Sequence, residues 1–251
     1  MDRKQRLSVV IPTFNEQDRL GTTLNQLRSI SSSFASLEVV ISDDGSTDNT
    51  LKVARNEGHG LTLKAIRNPH LGPGEAIRAG VLASAYEWVL LSDADGPVDF
   101  NTVLPMLTLA QECDFDVLSG RRIGPGARID HPQPIHRRLM GHLWRYFVRY
   151  GVGSSFSDPQ CGFKLFRAPC AKEIFQLSKS SSFGIHIETM LLAMDKGYSV
   201  HEYPVSWRDR DGSKIRPVRD SITMLTEALC TRRRLGRTSP RQAYRSHSSA
   251  V

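Results

Sequence analysis

Short β-branched runs alternate with helical apolar patterns through the first hundred residues, and this alternation constrains the fold more than any other feature. Leu7-Ser8-Val9-Val10-Ile11-Pro12 reads as a strand, and between about Glu16 and Ile30 the residues Leu20, Leu24 and Leu27 recur at helical spacing. Leu37 to Ser42 reads as a second strand, with Asp43-Asp44-Gly45-Ser46-Thr47-Asp48 as a turn into a helix beginning near Thr47. Thr62 to Ile66 reads as a third strand, Gly72-Pro73-Gly74 opens another helix, and Trp88 to Ser92 reads as a fourth strand. This βαβαβαβ order predicts an α/β fold with a mainly parallel sheet flanked by helices. Ligands of such sheets bind beyond the carboxyl ends of the strands. The clusters Thr13 to Glu16, Asp43 to Ser46 and Asp93 to Asp95 each follow a strand, so they are expected to meet on one rim.

The second half is less regular. Asp116 to Gly120 predicts a strand, followed by a Gly-, Pro- and Arg-rich loop from Arg121 to Gln133. Pro134 to Tyr150 predicts an amphipathic helix, with Ile135, Leu139, Leu143, Tyr146, Phe147 and Tyr150 on one side and Arg138, His142, Arg145 and Arg149 on another. Val218, Ile222, Leu225 and Leu229 predict a second apolar stripe that ends at Arg232-Arg233-Arg234. We expect one domain over residues 1–230 and a basic, disordered tail over residues 231–251.

Charge and composition exclude several classes. The formal charge is +7, but six arginines and no acid lie between Thr231 and Val251, and the remainder holds 27 basic and 26 acidic residues. The basicity belongs to the tail and not to a nucleic-acid-binding face. Apolar stretches such as Trp88 to Leu91 fall far short of the roughly 20 residues that span a bilayer, and Met1 to Arg6 lacks a signal peptide's apolar core. Cys113, Cys161, Cys170 and Cys230 form no C-x-x-C pair and read as reduced, mostly core-filling residues. A cytoplasmic protein is the expectation.

Asp93-Ala94-Asp95 carries the sharpest chemical suggestion. Two carboxylates one residue apart at a strand end suit one hard cation, Mg²⁺ or Mn²⁺, that shares its oxygen ligands with phosphate. Taken alone, the pair reads equally as a turn cluster. Asp43 and Asn15 likewise have an ordinary reading as helix caps. Neither G-x-x-x-x-G-K-[ST] nor G-x-G-x-x-G occurs, which argues against a P-loop or a dinucleotide-binding oxidoreductase.

In order along the chain, Val9-Val10-Ile11-Pro12-Thr13-Phe14-Asn15-Glu16, Asp43-Asp44-Gly45-Ser46-Thr47-Asp48 and Asp93-Ala94-Asp95 resemble the family 2 inverting glycosyltransferases of GT-A fold. Asp158-Pro159-Gln160-Cys161-Gly162-Phe163-Lys164-Leu165-Phe166 and Gly212-Ser213-Lys214 resemble its polyprenyl-phosphate branch, the dolichyl-phosphate β-glucosyltransferases above all. The resemblance spans about residues 7–230. It implies a Rossmann-like GT-A domain with C-terminal amphipathic helices, which transfers a hexose from a nucleoside-diphosphate sugar to a polyprenyl phosphate. By resemblance, Pro12, Asn15, Glu16, Asp43 and Asp93 bind the nucleotide-sugar, and Asp93 and Asp95 hold the cation. Arg121 stands near the diphosphate. Arg137 or Arg138, Gln160, Lys164, Arg210, Ser213 and Lys214 face the acceptor phosphate.

Where mannosyl enzymes of the branch carry a glutamine two residues after the second Asp, this chain has Pro97. The Asp93-Ala94-Asp95-Gly96 stretch therefore favours UDP-glucose as donor, with GDP-mannose as the alternative. The glucosyl enzymes typically have an N-terminal membrane anchor, absent from this sequence, so the basic amphipathic helices are the expected means of contact with the membrane surface. A hydroxyl acceptor would instead require a carboxylate base, for which Asp158 is the candidate. A non-catalytic scaffold of the same fold and a nucleotidyltransferase are the other readings.

Overall fold

The computed structural model describes residues 4–129, 156–208 and 217–236. The expected Pro134 to Tyr150 helix, Arg137, Arg138, Arg210, Ser213 and Lys214 lie outside them. The described strands are β1 (Arg6–Thr13), β2 (Ser36–Asp43), β3 (Thr62–Arg67), β4 (Trp88–Leu91), β5 (Val117–Arg121), β6 (Arg128–Ile129), β7 (Lys164–Arg167), β8 (Val200–Pro204) and β9 (Ser206–Trp207). The helices are α1 (Leu20–Ile30), α2 (Thr50–Glu57), α3 (Pro73–Ala83), α4 (Val103–Glu112), α5 (Ala168–Leu177), α6 (Ile185–Asp195) and α7 (Pro217–Leu235).

Seven of the described strands form one sheet in the order β3-β2-β1-β4-β7-β5-β8, and β6 pairs with β9 in a small ribbon. The pairs β1–β2, β1–β4, β2–β3 and β5–β8 are parallel. Only β7 runs against its neighbours, antiparallel to both β4 and β5. The mainly parallel sheet expected from the alternation is therefore present. Strands β1, β2 and β4 are buried on both faces, which is why they read as continuous apolar runs, whereas β3 at the sheet edge is largely exposed. Along β1, Leu7, Val9 and Ile11 enter the core formed with α1 and α4, while Val10 enters the opposite core with α3, α5 and α6. Leu20, Leu24 and Leu27 of α1 are fully buried in the first of these cores.

The chain order reverses at β1, which has β2 on one side and β4 on the other. In an open α/β sheet such a switch point leaves a crevice beyond the strand ends, because the adjoining connections depart to opposite faces. The crevice is bordered by the residues after Thr13 and Leu91, and the turn after β2 adjoins it.

Several local expectations are corrected. Helix α1 starts at Leu20 without a side-chain cap, so Asn15 does not cap it. The residue before α2 makes no side-chain cap bond, and Asp48 instead accepts from the Thr50 N–H at 2.9 Å. Helix α7 runs through the triple arginine to Leu235. Its buried positions include Met224, Ala228 and Thr231, and Ala228 packs on Ile187 and Leu191 of α6, whereas Ile222 of the expected stripe is 62% exposed. The four cysteines are free, but only Cys161 and Cys170 are buried, so half of them fill the core. Among the described residues no helix is long and apolar enough to cross a membrane.

Candidate active site at the strand ends

The rim is assembled first by stitching between the loops after β1 and β2. The Asn15 N–H donates to Ser46 Oγ at 2.9 Å, and Asn15 Oδ1 accepts from the Thr47 N–H at 2.8 Å. Asn15 reaches this position with φ +56°, in the left-handed region that asparagine tolerates better than most residues. The Glu16 N–H donates to Thr50 Oγ1 at 2.7 Å. Asp43 is fully buried and closes its own turn, accepting from the Ser46 N–H at 2.9 Å, from Ser46 Oγ and from Thr13 Oγ1 at 3.2 Å. Pro12 lies opposite Ser42 in the β1–β2 register, one step inside the rim. Asp44 binds the third loop through the N–H groups of Leu71 and Gly72, at 3.0 and 3.2 Å, and through His70 Nδ1 at 2.9 Å. The His70 ring stacks on Phe14 with centroids 4.4 Å apart.

Asp93 and Asp95 follow β4 on the other side of the crevice. Arg19, which the sequence reading did not single out, joins the two sides. Its guanidinium binds Glu16 at 2.7 and 2.8 Å and approaches Asp95 Oδ2 at 3.5 Å. The three polar clusters therefore do converge. Burial, and secondarily the charge of Asp95, push the Asp93 carboxyl up to about 6. A carboxylate in that condition is one for which a nearby cation would be stabilising. Among the described residues no group of three or more His, Cys, Asp or Glu is placed to enclose an ion. The Asp93 and Asp95 pair nevertheless fits Mg²⁺ or Mn²⁺, which readily take their remaining ligands from water and diphosphate oxygens.

The floor of the site is the turn from Ser157 to Phe163, and its construction was not legible in advance. Glu202 of β8 accepts the N–H groups of Ser157 and Asp158 at 3.0 and 2.7 Å. Asp158 in turn holds Arg122, with Nε at 2.7 Å, Nη2 at 2.8 Å and the Arg122 backbone N–H at 3.0 Å. Burial alone would raise the Asp158 carboxyl, but the charge and hydrogen bonds of Arg122 outweigh it and hold the group below its usual range. A carboxylate so engaged is a poor proton acceptor, which argues against Asp158 as a general base. Arg122, also missed in the sequence reading, lies 5.6 Å over the Trp207 ring and within the electrostatic reach of Asp93. Arg121 instead turns to its own loop, donating to the carbonyls of Ile123 at 2.6 Å and Pro125 at 3.0 Å.

Lys164 is fully buried beneath the same turn. Its ammonium donates to Ser119 Oγ at 2.8 Å and to the carbonyls of Pro159 and Cys161 at 3.0 and 2.7 Å. All three protons are in use, so the expected phosphate contact gives way to a positioning role. Burial pulls its pKa down to about 8. Gly162 then brings the turn onto Asp93, since a Cβ at this position would lie 2.6 Å from Asp93 Oδ2 and 2.7 Å from Oδ1. Gln160 points away from the rim and donates to the Phe183 carbonyl at 2.8 Å and to Met224 Sδ at 3.2 Å.

Comparison with known proteins agrees with this architecture. The chain is 31% identical to the dolichyl-phosphate β-glucosyltransferase of Saccharomyces cerevisiae, across 92% of this chain and 75% of that protein. It is 29% identical to the protein of that name from Dictyostelium discoideum, across 89% of this chain and 72% of the relative. Glucosyl-3-phosphoglycerate synthase from Mycobacterium tuberculosis, solved in complex with Mn²⁺, UDP-glucose and phosphoglyceric acid, has the same fold. The TM-score is 0.66 at 16% identity, covering 89% of this chain and 80% of that one. Residues 8–175 match Glycosyl transferase family 2, and this chain belongs to that family of glycosyltransferases.

Proposed function

We propose that this glycosyltransferase moves a hexose, with inversion, from a nucleoside-diphosphate sugar to a polyprenyl phosphate, and that the donor is UDP-glucose. The observation that carries the reading is the meeting of Asp93 and Asp95 with Arg19, Glu16 and the β1–β2 loops at the switch point. The relatives from yeast and Dictyostelium support the polyprenyl phosphate and the glucosyl group, and a neighbour of the same fold was solved with Mn²⁺ and UDP-glucose. Pro12, Asn15, Glu16 and Asp43 shape the nucleotide end, and Asp93 and Asp95 would hold Mg²⁺ or Mn²⁺. When bound, the cation neutralises charge that accumulates on the departing diphosphate.

This chain's residues do the rest. Arg122, fixed by Asp158 and close to Asp93, is a preorganised positive charge for the diphosphate, a better candidate than Arg121. A phosphate acceptor is anionic near neutral pH and needs orientation more than deprotonation, in keeping with an Asp158 tied up by Arg122. Lys164 keeps the floor in shape beneath it. Arg137 or Arg138, Arg210, Ser213 and Lys214 are assigned to the acceptor phosphate on family resemblance. Membrane contact through basic segments would bring the enzyme to its lipid.

The test incubates purified protein and Mn²⁺ with UDP- and GDP-sugars, with and without polyprenyl phosphate. Lipid-dependent release of UDP from UDP-glucose is expected. Release that depends on a sugar hydroxyl acceptor instead would overturn the acceptor, and no release from any donor would favour a non-catalytic scaffold. Asp95→Ala should abolish turnover while leaving the melting temperature within a few degrees.

A further inference from the structure

Arg19 immediately precedes α1, and the same helix fastens the acidic loop. Four residues on and on the same face, the buried Thr23 donates through Oγ1 to the Ala94 carbonyl at 2.7 Å, between the two aspartates. Gly96 lies so close to α1 that a Cβ there would meet Thr23 Oγ1 at 2.9 Å and Gln26 Oε1 at 3.1 Å. The spacing of Arg19 and Asp95 is therefore set by packing and not by two wandering surface side chains. Glu16 fixes the guanidinium itself, accepting from Nε at 2.7 Å and from Nη2 at 2.8 Å. That fork directs Nη1 toward Asp95 Oδ2, 3.5 Å away, with the two side chains only 21% and 24% exposed. A tight charged hydrogen bond spans about 2.7–2.9 Å, so Arg19 is bound firmly to Glu16 and only loosely to Asp95.

Three carboxylates share this rim, since Glu16 and Asp95 both lie within the electrostatic reach of Asp93. Like charges so close repel unless positive charge sits among them, and here the guanidinium supplies it. A bare divalent ion on Asp93 and Asp95 would set its own charge against Arg19, so the two cations compete for Asp95. An ion that arrives with a diphosphate brings the compensating anion as well. Oxygens of that diphosphate, sharing the ion with Asp95, would stand within reach of a guanidinium that already lies against Asp95, and arginine pairs strongly with phosphate oxygens. We infer that Arg19 couples the cation to the nucleotide: it opposes a divalent ion at Asp95 when no diphosphate is present, and it binds the diphosphate when ion and nucleotide are present together. The inference rests on the metal-bound nucleotide-sugar reading above and adds that the donor enters as its cation complex.

The experiment uses the full chain and measures two dissociation constants, that of Mn²⁺ alone by electron paramagnetic resonance and that of UDP at saturating Mn²⁺ by calorimetry. Arg19→Gln should bind Mn²⁺ alone about threefold more tightly than wild type, yet bind UDP in Mn²⁺ about tenfold more weakly. The opposite signs are the signature. A general loss of positive charge would tighten both, and a damaged site would weaken both; either result overturns the coupling, as does a UDP affinity within twofold of wild type or an unchanged Mn²⁺ affinity. Arg28→Gln removes the same charge near the far end of α1 and should shift neither constant, so matching shifts there also overturn it. Should Arg19→Gln fail to fold, Arg19→Lys keeps the charge but not the fork: it should hold the Mn²⁺ constant within twofold of wild type and still lose most of the UDP affinity, and full UDP affinity in that variant counts against the coupling. Failure of wild type to bind UDP in Mn²⁺ would instead remove the nucleotide-sugar reading on which the inference rests.

Discussion

Replacing Gly162 with alanine isolates the steric contact between the floor of the site and the acidic pair. The new Cβ would meet Asp93 Oδ2 at 2.6 Å, Oδ1 at 2.7 Å and Cγ at 2.9 Å, whereas ordinary contact begins near 3.4 Å. Gly162 is not among the glycines with positive φ, so alanine suits its backbone and the conflict is with the carboxylate alone. Relief requires Asp93 or the turn to yield by about 0.8 Å. The turn is held by Lys164 and Glu202, whereas the Asp93 carboxylate has a side-chain torsion to give, so the displacement falls on Asp93. A shift approaching 1 Å in a catalytic group can cost roughly 100-fold in rate. Accommodating one extra methyl costs about 1–3 kcal/mol of stability.

Turnover of UDP-glucose with polyprenyl phosphate should therefore drop by about two orders of magnitude, and the Mn²⁺ concentration for half-maximal activity should rise. In a domain of this size each kcal/mol lowers the melting temperature by about 2–4 °C, so the variant should remain folded at assay temperature. Gly21→Ala is the control, because its Cβ would meet nothing closer than Glu57 Cγ at 3.5 Å. Helix propensity alone should make that variant slightly more stable. Wild-type turnover and Mn²⁺ dependence in Gly162→Ala would refute the idea that the turn sets the Asp93 carboxylate. A collapse in stability would show that the core and not the carboxylate absorbs the strain.

Asp158→Asn should lower stability in urea by about 1–3 kcal/mol, because it takes the carboxylate from an Arg122 side chain that is 29% exposed; no measurable loss would deny the pair its anchoring role. His186 is protonated in the unfolded chain below its ordinary value of 6.5 but in the folded chain only near 3, so the unfolded state binds the extra proton between these limits. Stability should fall as pH drops from 6.5 toward 3, and His186→Asn should flatten that part of the profile in urea titrations at successive pH values. Glu188 is buried at the base of α7 and accepts from the Lys179 and Ser180 N–H groups at 3.0 and 2.7 Å and from Arg234 at 2.7 Å. Glu188→Gln turns an amide N–H toward one of these donors and should cost about 1.5–3 kcal/mol, with faster hydrogen exchange along α7 by mass spectrometry as the confirming sign.

The division between what could and could not be read from the sequence follows the range of the interactions. The strands β1, β2 and β4 announce themselves because double-sided burial demands unbroken apolar runs, and the rim follows from where those runs stop. The caps were harder: a polar residue before a helix signals a turn but does not say which N–H it takes, and Asn15 and Asp43 both serve the turns between loops instead. Arg121 and Arg122 show the same limit at one residue's resolution. Successive strand-end side chains point to opposite faces, so one guanidinium folds back on the Ile123 carbonyl and its neighbour reaches Asp158. Lys164 looked like a phosphate ligand because it is a cation in a polar motif, yet β7 inserts antiparallel between β4 and β5 and places it under a turn with three acceptors in reach.

Arg122 and Lys164 both lie at the Ser157 to Phe163 turn, and that has a functional consequence. The half of the site proposed to take the nucleotide is stitched by loops that directly follow neighbouring strands, so its contacts follow from their order along the chain. The floor depends on Ser157 to Phe163 meeting β5, β8 and α7 through Ser119, Glu202 and Met224, and on the Phe183 carbonyl. The two halves touch at the contact of Gly162 with Asp93 and through the electrostatic reach of Arg122. Substitutions in Asn15, Glu16 or Ser46 should therefore weaken UDP and UDP-glucose alike. Substitutions in Gln160 or Met224, which bear on the floor alone, should spare UDP. A variant of the second group that weakened UDP itself would mean the halves are mechanically one, and that the acidic pair is positioned by the whole floor and not by a single glycine.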